Sequence, residues 1–185
     1  MQITGDWTRV ALDAGPFFRF GSNGSLLDLV AYLGSRAVIS REVETELLRN
    51  ARKDDYAFLR ALQHIQPPIE VVDLGLEFAE ELLDRVRAAQ NPDDHPDAHK
   101  GEISTVLLAK ELESTLVICD DPVGKRLAKK KEVERLSTVQ LAAEMVAAGK
   151  FSHEAGLAIF AASAGGADPR HFNNAVKQAL AVFPT

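Results

Sequence analysis

Four short apolar runs, each followed by a segment of helical spacing, restrict this chain more than any other feature. Val10-Ala11-Leu12, Ala37-Val38-Ile39, Ile69 with Val71 and Val72, and Leu116-Val117-Ile118-Cys119 have the length and the β-branched content of buried strands. Val133 to Leu136 adds a short fifth. Strands that alternate with helices bury both faces of a parallel sheet, so the expected fold is a three-layer α/β/α domain with four to five parallel strands and right-handed crossovers. Between the strands, Asp13-Ala14-Gly15-Pro16 reads as a breaker, and Leu26 to Leu33 as a short helix closed by Gly34. Ser40 is placed to cap a helix carrying Val43, Leu47 and Leu48. Phe58, Leu59, Leu62 and Ile65 mark another helix face, stopped by Pro67-Pro68, and Phe78, Leu82, Leu83 and Val86 a further one. A polar loop, Asn91 to His99, precedes a helix over Gly101 to Glu113. A basic helix runs to about Lys131, and helices near 138–148, 152–164 and 169–182 follow with no further strand. The division expected is therefore a domain over 1–150 and a helical extension over 151–185 packed on it.

Composition removes several classes. At 185 residues the chain makes one domain and buries a large core without disulfides or a structural metal. The single cysteine, Cys119, excludes a disulfide framework and a paired-cysteine zinc knuckle, and fits a reducing cytoplasm. Met1 to Val10 lacks the basic and apolar segments of a signal peptide, and the charge-free stretch Ala155 to Ala167 is shorter than the roughly 20 residues of a membrane helix. A soluble cytoplasmic protein is expected. The net charge of −6 gives no general attraction to nucleic acid, so such a partner needs a local basic patch or bound cations.

Ligands of open parallel sheets bind beyond the carboxyl ends of the strands. In this chain those ends carry acids: Asp13 after the first strand, Glu42, Glu44 and Glu46 on the helix after the second, Glu102 opening the helix before the fourth, and Asp120-Asp121 after it. Each has an ordinary structural role available. Asp13 can cap a turn, Glu42 and Glu46 can pair with Arg41 and Arg49, Glu102 suits a helix N-terminus, and Asp120 or Asp121 can cap the helix begun by Pro122. Their recurrence at one sheet edge points instead to a shared cation. Oxygen ligands without paired Cys or His suit Mg²⁺ or Mn²⁺, ions that activate water for phosphodiester hydrolysis. A dehalogenase- or receiver-type phosphoryl transferase would need paired acids near the first strand, where Asp13 stands alone, and no glycine-rich phosphate loop follows that strand.

The segments VALDAGPFF (10–18), AVISREVETELLRN (37–50), HKGEISTVLLAKELESTLVICDD (99–121) and KRLAKKKEVERLSTVQL (125–141) resemble a PIN domain. They are most similar to its prokaryotic VapC-like branch of toxin-type ribonucleases and their relatives. The resemblance spans about residues 10–150 and implies a Mg²⁺- or Mn²⁺-dependent endoribonuclease, a hydrolase of RNA phosphodiesters. Carried over residue by residue, it implies site roles, catalytic and metal-binding, for Asp13, Glu46, Glu102 and either Asp121 or Asp120, with Glu42 a second candidate on its helix. It implies an RNA substrate, a small antitoxin protein as the partner of a toxin, and a homodimer as a candidate assembly. A catalytically silent PIN-like module that binds RNA or protein is the alternative. The extension after residue 150 exceeds a minimal toxin.

Lys125, Arg126, Lys129, Lys130 and Lys131 place five cations just after the Asp-Asp pair, as a solvated helix face or as a strip for phosphates. Lys100 and His99, next to Glu102, are further candidates to touch a phosphate. His95 and His99 suggest a metal site, but with two prolines and no paired cysteine the segment reads rather as a flexible surface loop.

Overall fold

The computed structural model describes residues 7–65, 69–90, 95, 97–113, 115–164 and 168–181. Five parallel strands form one sheet in the order β3-β2-β1-β4-β5: β1 (Arg9–Leu12), β2 (Ala37–Ser40), β3 (Glu70–Val72), β4 (Thr115–Ile118) and β5 (Arg135–Leu136). The register pairs Ala11 with Val38 on one side and with Val117 on the other, so the centre of the sheet is apolar on both faces. The helices are α1 (Ala14–Ser22), α2 (Leu26–Leu33), α3 (Arg41–Ala51), α4 (Leu76–Ala89), α5 (Lys100–Glu111), α6 (Pro122–Lys131), α7 (Thr138–Ala147), α8 (His153–Ala164) and α9 (Pro169–Leu180).

Side-chain alternation along the strands builds the three layers. Val10, Leu12, Ile39, Leu116 and Ile118 face a core shared with Phe17, Phe20, Leu29, Leu47 and Leu141. Ala11, Val38, Val117 and Cys119 face the other way, against Leu82 and Val86 of α4, Ile103 and Leu107 of α5, and Leu127 of α6. The expected α/β/α architecture is present with five strands. The last helices join the first core: Ile159, Phe160, Phe172 and Val176 lie in the same apolar cluster as Phe17 and Phe20, with the Phe160 and Phe172 rings 5.9 Å apart.

Two segments differ from the sequence reading. Asp13-Ala-Gly-Pro does not break the chain but opens α1. Pro16 is the third residue of that helix, in the first turn where no intrahelical N–H bond is required, and its ring preorganises the backbone. The segment around Phe58 and Leu59 is a 3-10 segment, Asp54–His64, interrupted at Tyr56 (φ −120°, ψ 23°), and Leu59 is its one buried residue. An isolated buried leucine does not supply the stripe that holds an α-helix on a core. Pro67-Pro68, residues 91–94 and 96 of the polar loop, the Gly165–Ala167 end of the charge-free stretch and residue 182 lie outside the described residues.

Candidate metal centre

The site is built where β1 and β4 end side by side. The Asp13 N–H donates to the Ile118 carbonyl at 3.1 Å, continuing the β1–β4 ladder by one residue, and its side chain is only 5% exposed at the start of α1. Ser40 caps α3 by accepting from the Val43 N–H at 3.2 Å, and this orients the helix that carries Glu46. At Gly101, the second residue of α5, a Cβ would come 3.0 Å from Glu46 Oε2 and 3.4 Å from Asp13 Oδ1. Both carboxylates therefore close over a backbone position where a side chain would have to push one of them aside. Glu102 follows directly. Asp121 caps α6 by accepting from the Val123 N–H at 2.6 Å through Oδ1.

His99, Glu102 and Asp121 each offer a ligand atom, and the three atoms lie within 4.8 Å of one another. His99 reaches this position through a left-handed backbone (φ 64°, ψ 3°) at the N-cap of α5, a conformation that is uncommon for a residue with a side chain and that clusters at functional sites. His99 lies in a turn, half-buried, with a ring nitrogen among the acids.

Electrostatics distinguish these acids from the rest of the molecule. Burial first, and then the charges of Glu102 and Glu46, push the Asp13 carboxyl well above the usual carboxylate range, although the amides of Ala14 and Gly15 act in the opposite sense. Glu46 is raised by burial and by Glu102, and lowered in part by Arg49. Glu102 is raised by burial and by Asp121, with its own backbone and His99 lowering it. Among the described residues none of Asp13, Glu46, Glu102 and Asp121 forms an ion pair. Arg41 pairs with Glu44 and Asp73, and Arg49 with Asp97, rather than with Glu42 or Glu46. Acids held this close, with Arg49 and His99 offsetting their charge only in part, leave room for further positive charge, and a mixed oxygen and imidazole donor set fits a divalent cation.

The remaining sequence candidates are placed as follows. Glu42 stands one turn from Glu46 and lines a neighbouring hollow of about 180 Å³ with Glu46, Lys100 and Gly101; its Oε2 is buried without a partner among the described residues. A larger open hollow of about 470 Å³ adjoins, lined by Glu46, Arg49, Lys53, His95, His99 and Glu102. Asp120 stands beside Asp13, since a Cβ at Gly15 would meet Asp13 Oδ2 at 3.6 Å and Asp120 Oδ2 at 3.9 Å, but its oxygens are engaged by protein donors: Oδ2 accepts from Arg19 Nε at 2.9 Å and from Thr138 Oγ1 at 2.7 Å, and Oδ1 from the Thr138 N–H at 2.8 Å. On α6, Lys125, Arg126, Lys129 and Lys130 are exposed and make no ion pair among the described residues, whereas Lys131 is bound to Glu81 at 2.7 Å. Sequence reasoning did not identify Arg19 or Thr138 as neighbours of the site, since neither stands in an acidic motif.

No described helix is long and apolar enough to cross a membrane. No curated protein and no solved structure matches the chain significantly. Residues 9–161 match the profile of a family described as a PIN domain.

Proposed function

On the premise that this chain belongs to the PIN domain family, whose fold is nuclease-like, we propose that it is a metal-dependent endoribonuclease hydrolysing RNA phosphodiesters. The observation that carries this reading is the grouping of Glu102 and Asp121 with His99, next to Asp13 and Glu46 at Gly101, with no ion pair to any of the four acids among the described residues. Glu102, Asp121 and His99 would hold the ion, and the imidazole in that set favours Mn²⁺ over Mg²⁺. When bound, the ion supplies an acidified water and offsets charge on the phosphate. Asp13 and Glu46, whose carboxylates both approach Gly101, would hydrogen-bond and orient a water in this reading. Because Asp121 caps α6, Lys125, Arg126, Lys129 and Lys130, which form no ion pair among the described residues, follow it along one helix and suit successive phosphates, and Lys100 lines the hollow that holds Glu46.

In this reading residues 1–150 are the nuclease unit and 151–185 an extension, of which α8 and α9 contribute Ile159, Phe160, Phe172 and Val176 to the unit's core. The resemblance to the VapC-like branch supports a toxin partnered by a small antitoxin protein. The test is a cleavage assay on structured and single-stranded fluorescent RNAs, with protein stripped by chelator and resupplied with Mn²⁺, Mg²⁺ or nothing. Cleavage is expected only with a divalent cation, and is expected to vanish in Glu102→Gln. Cleavage that survives both chelator and substitution would refute the proposal, and metal binding with no cleavage of any RNA would leave a silent binding module.

A further inference from the structure

Asp120 and Asp121 are adjacent and chemically identical, and both lie beside the acidic group, Asp120 across Gly15 from Asp13, yet the fold gives them different partners. Asp121 uses one carboxylate oxygen to cap α6, and its carboxylate lies in the His99–Glu102 group. Asp120 spends both oxygens on protein donors: the Arg19 guanidinium, and the backbone N–H and hydroxyl of Thr138. Thr138 is fully buried at the start of α7, and the Arg19 and Asp120 side chains are 30% and 22% exposed.

Arg19 itself sits in the last turn of α1, the helix that Asp13 opens. Its Nη1 donates to the Ala162 carbonyl at 3.2 Å, in the last turn of α8, where helical carbonyls have no intrahelical partner. One side chain thus joins three things: the helix that begins at Asp13, the β4–α6 loop that bears Asp121, and the end of α8 in the C-terminal extension.

We propose that Asp120 is a positioning residue rather than a metal ligand, and that the Arg19–Asp120–Thr138 clamp sets the spacing between Asp13 and Asp121. The inference rests on the metal-centre reading above and extends it: the C-terminal helices contribute to the site through Arg19, without supplying a group that touches substrate. Outer partners that orient metal ligands typically change affinity about 10- to 100-fold when removed.

The two roles open to Asp120 give opposite signs in one experiment. Mn²⁺ affinity is measured by electron paramagnetic resonance for the full chain and for Arg19→Gln, Arg19→Lys, Asp120→Asn and Asp121→Asn, with the melting temperature of each recorded without metal. If Asp120 positions, Arg19→Gln weakens Mn²⁺ binding about tenfold even though a nearby positive charge is removed, and Arg19→Lys recovers part of the loss. Asp120→Asn weakens binding in the same range, and Asp121→Asn abolishes it. If Asp120 were a ligand held back by Arg19, Arg19→Gln would tighten binding and Asp120→Asn would abolish it; that result, or unchanged affinity in Arg19→Gln, overturns the proposal. Should Asp120→Asn fail to fold, Thr138→Val, which keeps the backbone donor and removes the hydroxyl, is expected to weaken binding in the same direction and by less. Absence of Mn²⁺ binding in the unsubstituted chain would remove the metal-centre reading itself, whereas binding there with unchanged variants would remove only the clamp.

Discussion

Two groups of carboxylates on this molecule show how differently a fold can treat the same chemistry. Glu81, on α4, is partly buried, which by itself raises its pKa, but hydrogen bonds and charge from Lys131 and Arg85 outweigh that and hold it below the usual range. Asp13, Glu46 and Glu102 are also withdrawn from water, and all three are raised, first by burial and then by neighbouring acids, with Arg49 lowering Glu46 and His99 lowering Glu102 only in part. The first group is complete as it stands. The second has no ion pair among the described residues, and the proposed metal would complete it. The lesson is that the absence of partnering cations, more than the number of acids, marks the site.

The largest effect that sharpens this contrast is stabilisation by metal. Mn²⁺ at about 100 times its dissociation constant adds roughly 2.7 kcal/mol to the fold, or about 5–10 °C in melting temperature for a chain of this size. Scanning calorimetry at neutral pH checks this, and an unmoved transition would place the two acid groups on the same footing. Next is Asp13→Asn without metal. Its carboxyl takes up a proton more readily in the folded chain than in the unfolded one, so at neutral pH its ionised form weakens the fold. The amide is expected to raise metal-free stability by about 1 kcal/mol while reducing the Mn²⁺-induced gain. A denaturant titration with and without Mn²⁺ reads both changes, and an unaltered gain would detach Asp13 from the site.

Glu81→Gln is the counterpart. Its ion pairs are part-exposed and screened, so the expected cost is about 0.5 kcal/mol with an unaltered Mn²⁺ response. If that response fell, the separation of the two groups would be wrong. Smallest in stability is the double substitution Lys129→Gln with Lys130→Gln. It is expected to leave melting and metal binding in place and to flatten the salt dependence of RNA affinity by about one unit of log–log slope for each phosphate that is no longer neutralised. An unchanged slope would return α6 to the role of a solvated face.

Much of the fold is visible in the chain because its strands are short, apolar and regularly interrupted. Strand runs such as Val10 to Leu12 and Leu116 to Ile118 are recognisable whatever lies around them. α1 is not, because Asp-Ala-Gly-Pro looks identical whether it ends a strand in a turn or starts a helix; what decides is the burial of Phe17 and Phe20 against the sheet. In the site, the acids of separate segments are legible as a pattern of strand ends. Three features depend on tertiary geometry instead: the choice between Asp120 and Asp121, which turns on Arg19 and Thr138 far away in sequence; the left-handed turn that brings His99 inward; and the closing of Asp13 and Glu46 over Gly101.

The central claim is that the unpartnered acids form the metal site and the partnered ones do not. It is tested most directly by counting and titrating bound Mn²⁺ with electron paramagnetic resonance in three proteins: the unsubstituted chain, Glu102→Gln and Glu81→Gln. The account predicts a saturable site that Glu81→Gln retains at full affinity and that Glu102→Gln weakens by at least about tenfold. Equal affinity in all three, or a loss in Glu81→Gln as large as that in Glu102→Gln, would contradict it.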